Sequence, residues 1–202
     1  MKVDSLGNHL IYDSDLNITW YDMTSSFASW ENQVIWADGL TVNFGGKIFS
    51  DWRLPTTIAS GFITSSSSPS FYDGSADGGY NITRGELGYL FYIDLDNSGR
   101  YTTDGTLNPQ PWTSNLSPFI NLQINTYWSE TLFIDSVNAF AFQFFDGKQG
   151  RGLTEANGIY QQFLAIAVRD GDVVNIPAPG SLLLVLIGII TGKGFSARRK
   201  KA

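Results

Sequence analysis

Asn138-Ala139-Phe140-Ala141-Phe142-Gln143-Phe144-Phe145 is the stretch from which the fold is read. Phe140, Phe142 and Phe144 alternate with Ala139, Ala141 and Gln143, the period of a strand with one heavily apolar face. Asp146-Gly147 follows at once and starts a glycine-rich turn. Farther on, Gln162 to Arg169 puts Leu164, Ile166 and Val168 on one face and is expected to be the returning strand. Thr126 to Leu132, on the other side, reads as a further strand. The second half of the chain is therefore expected to form an antiparallel sheet.

The first half mixes strands and helices. Leu10, Tyr12, Leu16, Ile18 and Trp20 alternate with polar neighbours, and Asp13-Ser14-Asp15 supplies a turn between short strands. Ser29 is a good N-cap, with Glu31 in the first turn where the helix dipole favours an acid. Trp30, Val34, Ala37 and Leu40 fall on one face of that helix, Gly39 weakens its end, and Gly45-Gly46 breaks it. Thr83-Arg84-Gly85-Glu86 reads as a capping box that opens a second helix with Leu87, Leu90, Phe91 and Ile93 facing inward. Ser60 to Asn81, with Ser65-Ser66-Ser67-Ser68 and Gly78-Gly79, reads as a long, mobile surface loop. Asp94 to Trp112 is a second irregular stretch, and no internal repeat is found. The class is α+β, two helices early and an antiparallel sheet late.

Composition removes several functions. The chain has 202 residues, 43% hydrophobic and 14% aromatic, enough for one well-packed domain. It has no cysteine, so disulfides, thiol catalysis, Cys-based zinc sites and iron–sulfur ligation are excluded. A Ser-His-Asp triad or a histidine metal site would have to use the single histidine, His9, which is read as a surface residue. All 19 acidic residues lie at or before Asp172, so the body is strongly acidic and no nucleic-acid partner is expected.

Five of the 13 basic residues lie after Asp172, and the tail is a separate object. Residues 1–174 are taken as the folded domain and 175–202 as the tail. Leu182 to Ile190 is an uncharged apolar run, followed by Lys193 and then Arg198-Arg199-Lys200-Lys201. Three readings fit it: a buried C-terminal helix, a plain membrane anchor with its basic end in the cytoplasm, and a processed sorting signal. The last is favoured.

Pro177-Ala178-Pro179, the apolar run and the terminal basic cluster together resemble the PEP-CTERM sorting signal, with Ala178 where that signal has a central Glu. The resemblance implies an exosortase-type processing enzyme as a partner. It also implies export to a bacterial cell envelope or the extracellular space, with transient membrane anchoring through the tail helix. Residues 1–8 hold no apolar signal-peptide core, so the sequence is expected to start downstream of its export signal.

The body resembles the DUF1566 domain, also called the Lcl C-terminal domain. The matching segments are Leu16 to Trp20, Trp30 to Leu40, Asp51-Trp52-Arg53-Leu54-Pro55-Thr56, Tyr127-Trp128-Ser129 and Ala167-Val168-Arg169. Gly85 to Tyr92 is similar to the subgroup that often carries such tails. The resemblance implies a C-type-lectin-like fold and makes Trp20, Trp52, Arg53, Leu54, Pro55, Trp128 and Arg169 its signature, read as structural. Trp52 and Leu54 are expected in the core, Pro55 at a turn, and Arg53 paired with a carboxylate or backbone carbonyls.

One polar cluster invites a metal. Asp94, Asp96 and Ser98, with Gly99 in sixth place, resemble the first half of a calcium loop, but Gly105 stands where a full EF-hand needs Glu. Calcium is kept as a weak candidate, and no other cofactor is expected. No carboxylate pair is marked out for catalysis. The leading expectation is a non-enzymatic surface or matrix protein that binds polysaccharide or another surface component. The rivals are a purely structural matrix protein and a glycan-processing enzyme. An aromatic groove rimmed by the 60–81 loop would favour binding.

Overall fold

The structure, a computed structural model, describes residues 1–3, 9–62, 64–154 and 160–173. In chain order its elements are β1 (Lys2–Val3), β2 (Leu10–Asp13), β3 (Ile18–Tyr21), α1 (Trp30–Asp38), β4 (Val42–Phe44), β5 (Lys47–Phe49), α2 (Glu86–Tyr89), β6 (Thr126–Leu132), β7 (Asn138–Gln143), β8 (Lys148–Leu153) and β9 (Ala167–Asp170). The class is α+β with few helices and antiparallel sheets. One sheet runs β1-β2-β3-β9, a second is β6-β7-β8, and β4-β5 is a separate hairpin. The expected apolar helix and basic cluster of the tail, Pro177 to Lys201, lie outside the described residues. Among the described residues no helix is long and apolar enough to cross a membrane.

The first sheet is covered on both faces. Ile11, Ile18, Trp20 and Val168 point into a core shared with Leu87, Leu90, Phe91, Phe142 and Phe144. Leu10, Ala165 and Ala167 point into a second core with Ala37, Trp52, Leu54 and Trp128. Burial on both faces explains why Leu10-Ile11 and Ile18-Thr19-Trp20 are all buried, although an alternating pattern would leave one face wet. Helix α1 lies on the second core. Ser29 caps it through Asn32, and buried Gln33 ties it down with bonds to the Ser26 and Phe163 carbonyls. Trp30 donates its indole N–H to the Ser129 carbonyl at 2.8 Å, fixing the helix to β6.

The sequence reading is corrected at three places. The strand returning from the Asp146-Gly147 turn is β8, paired along its length with β7, not Gln162–Arg169. The latter segment instead stitches the two sheets together: Leu164 bridges Tyr127, and Ala167–Asp170 pairs with β3. Gly45 and Gly46, both at positive φ, make the tight turn of the β4-β5 hairpin rather than merely ending α1. The capping box at Thr83–Glu86 does not form. Gly85 is the N-cap and no side chain caps the helix, because the Glu86 carboxylate is taken by Arg53 and the Thr56 amide. Helix α2 is correspondingly short. It runs on as a wider π-helical turn over Leu90–Asp94, in which Leu90 and Phe91 are buried and Ile93 is exposed.

Small residues set the spacing under Trp128. Ala141 pairs with Trp128 and Gly150, and Ala139 with Gly152, so one face of this sheet is a floor of small side chains beneath one large ring. A Cβ on Gly152 would run into the Trp128 ring and lie 2.7 Å from Phe163 Cε2, whereas at Gly150 the space is open. Gly152→Ala is therefore expected to cost about 1–3 kcal/mol, and Gly150→Ala to stay within about 0.5 kcal/mol of the parent. Urea unfolding of both variants checks the contrast.

Candidate functional site

The signature segment is a strap, and its residues act through the backbone as much as the side chain. Arg53 exchanges two backbone bonds with Val168 at 2.9 Å, which lays the segment against β9. Trp52 and Leu54 are buried, and Trp52 donates to the Phe49 carbonyl at 3.1 Å. Pro55 is buried, with its carbonyl accepting from the Glu130 amide of β6. The Arg53 guanidinium makes two 2.8 Å bonds to Glu86 and one to Asp170. The Glu86 contact is the largest influence holding Arg53 firmly protonated, against the opposing effect of burial. Arg169 bonds Asp51 at 2.9 Å and covers the Phe49 ring. Trp20 and Trp128 are fully buried. These residues hold elements together and leave little surface for a ligand. His9 is only partly covered, and its carbonyl takes the Asp22 amide.

The calcium candidates are not gathered. Leu95 and Asn97 turn inward, so Asp96 and Ser98 point outward and are exposed. Asn97 accepts from the Ser114 and Asn115 amides and serves as a loop strut. Asp94 faces the other way, toward Asp13 and Asp15. Among the described residues no group of three or more His, Cys, Asp or Glu side chains is arranged to hold a metal ion.

What the structure does assemble is a groove beside the edge strand β8. It has a volume of about 300 Å³ and lies between that strand and the 60–81 segment. A neighbouring hollow of about 290 Å³ shares Phe133 and Phe140 with it. Partly exposed Phe71 supplies an apolar wall over the buried Phe133 and Phe140, and Gln143, Lys148 and Arg151 supply polar groups. Each cation lies over a ring: Lys148 Nζ is 5.6 Å from the Phe71 centroid, and Arg151 Cζ is 4.6 Å from that of Phe133.

The 60–81 segment, expected to be mobile, is tied down at many points. Asp77 accepts from Ser60, Gly61 and Arg84. Burial pulls its carboxyl upward, but these bonds and the Arg84 charge outweigh it and leave Asp77 below the usual carboxylate range. Gly79 and Gln149 exchange backbone bonds at 2.8 and 2.9 Å. The buried Gln149 side chain accepts from Thr57 and donates to the Asp77 carbonyl. The groove therefore has a fixed rim. Sequence reasoning missed Phe71, Phe133, Lys148 and Arg151. The nearest signal was the alternation Lys148-Gln149-Gly150-Arg151-Gly152, in which cations interleave with glycine.

A scan against models of protein families, a search of curated proteins and a search of solved structures each return no match.

One acidic pair stands apart from the groove. Asp13 Oδ2 and Asp94 Oδ2 are both buried without a conventional donor. Burial first, then the charge and hydrogen bond of Asp13 and the charge of Asp15, push the Asp94 carboxyl up to about 7, with the amino terminus opposing. A carboxyl raised in the fold contributes stability that is fully present below its unfolded value and lost as pH rises through its folded value. Solvent screening at this half-buried carboxyl cuts the full linkage value of about 4 kcal/mol by half or more, so Asp94 is expected to lower stability by about 1–2 kcal/mol between about pH 4 and pH 8. Asp94→Asn should flatten that slope. Urea midpoints measured across this pH range test it.

Proposed function

We propose that this chain is a non-enzymatic, exported envelope or matrix protein that binds polysaccharide through the groove beside β8. The observation that carries the reading is the groove itself: a phenyl wall next to amide and cationic groups, on a rim fixed by backbone bonds. Sugar rings present C–H faces that pack on aromatic rings and hydroxyls that bond to polar side chains, so a glycan matches both kinds of wall. The α+β body is read as a C-type-lectin-like domain on its resemblance to the Lcl C-terminal class. The Pro177-Ala178-Pro179 element, apolar run and basic end are read as a sorting signal that an exosortase-type enzyme processes. On this reading the tail delivers the domain to the cell surface and the groove engages the surrounding matrix.

Two measurements test the proposal. The mass of the mature protein, from hosts with and without an exosortase, should show loss of the basic end only in the competent host. An intact Lys200-Lys201-Ala202 terminus in both would remove the sorting part. For the groove, the full chain is titrated with a panel of soluble oligosaccharides. Phe71→Ala should weaken any hit about tenfold, equivalent to about 1.4 kcal/mol, while leaving the near-ultraviolet dichroism intact. Binding that survives Phe71→Ala unchanged would place the ligand elsewhere.

A further inference from the structure

The cations whose side chains are described fall into three groups. Arg53, Arg84 and Arg169 each have a carboxylate oxygen within 3.1 Å and serve the fold. Arg100 is stacked on Tyr101 and Trp112, and Lys47 stands at the tip of the β4-β5 hairpin. Lys148 and Arg151 differ from all of these. Both line the groove, and among the described residues Lys148 has no carboxylate within ion-pair distance. Arg151 has only Asp135 at 3.9 Å, with both side chains substantially exposed. A contact of that length and exposure is worth little.

The carboxylates around the groove are already engaged. Asp77 is bound by Arg84, Ser60 and Gly61. Asp135 accepts from the Val137 and Asn138 amides of its own turn. Asp146, which feels the Lys148 charge, accepts from the Tyr80 hydroxyl and the Lys148 amide. Two cations are thus held over phenyl rings, and among the described residues most of their hydrogen-bond donors have no partner. Residues three apart on a strand leave it on opposite faces, so Lys148, on the face of Gln143, and Arg151, on the face of Phe140, flank the β8 edge from either side while both border the groove. Between them Gly150 leaves open space where a side chain would stand.

We propose that the groove takes an acidic polysaccharide, with uronate carboxylates held by Lys148 and Arg151 and a sugar ring lying against the partly exposed Phe71. This rests on the glycan-binding reading above and narrows it to one chemical class. The acidic body does not forbid it. Exposed charges more than about 8 Å away are largely screened at physiological salt, so a carboxylate in the groove responds mainly to the two cations beside it. Arginine presents a planar fork that matches a carboxylate, and lysine a point charge.

The test titrates the full chain with oligogalacturonate and with the same oligomer after its carboxyls have been reduced to alcohols. Calorimetry is run at low and at physiological salt. The acidic oligomer should bind at least about tenfold more tightly than the reduced one, with the gap narrowing as salt rises. Lys148→Gln with Arg151→Gln should bring the two affinities together, and Lys148→Arg should restore part of the gap. Both changed residues are at the surface, and unchanged urea midpoints establish that the variant is folded. Equal binding of both oligomers overturns the uronate assignment and leaves the glycan reading standing. A preference that survives the double variant overturns the role of these two residues. Failure of both oligomers to bind overturns this inference, and the glycan reading falls with it only if the wider oligosaccharide panel is also silent.

Discussion

The Arg53 guanidinium is the point at which the separate pieces of this fold are joined. Its backbone lies against β9, and its side chain reaches Glu86 at the start of α2 and Asp170 at the end of β9. Glu86 in turn receives the Thr56 amide at 2.6 Å. One residue farther on, Thr57 exchanges bonds with Thr131 of β6. A stretch of five residues therefore touches the first sheet, the second helix and the second sheet. Bidentate bonds between a planar cation and a carboxylate fix direction as well as distance. With Glu86 largely buried, the loss of its partner would strand a charge away from water.

That strap permits two cores instead of one. The four-stranded sheet is the partition between them, and its strands carry apolar or small residues on both faces. The first core is dominated by rings in edge contact, such as Phe91 with Phe144 at 5.7 Å and Trp20 with Phe119 at 6.1 Å. The second is built from Trp128, Trp52 and small residues that let the indoles approach the backbone. Between them the segment from Phe163 to Asp170 belongs to both sheets. The groove inherits its rigidity from this frame, because β8 is locked to β7 and the opposite rim is locked to β8.

What was legible in the sequence was whatever a local period controls. Thr126–Leu132, Asn138–Gln143 and the Ser29-capped helix emerge at or close to their expected bounds, since each has a repeating apolar face or a side-chain cap. Strand β8 was not legible, because its buried residues are Gln149 and Gly152, which carry no apolar signal. The capping box failed for a related reason. Glu86 has a local use and a distant one, and the charged partner across the chain prevailed over the neighbouring amide. The groove was invisible because Phe71, Phe133 and the two cations come from three separated segments, and only the fold brings them to one edge. A local reading of the 94–99 loop likewise put Asp94 with Asp96 and Ser98, when its carboxyl turns to Asp13 instead.

Three isolated bridges have a consequence beyond holding the frame. Arg53 pairs with Val168, Gly79 with Gln149 and Leu164 with Tyr127, and each engages backbone groups on the outer side of β9, β8 or β6. An open strand edge invites a strand from another molecule, and natural sheets block it by cover, charge or interruption. Here short contacts from irregular segments provide the cover, and Arg151 adds charge on β8. At these three edges a neighbouring copy packed alongside would find the backbone groups already in use, which blocks strand addition there.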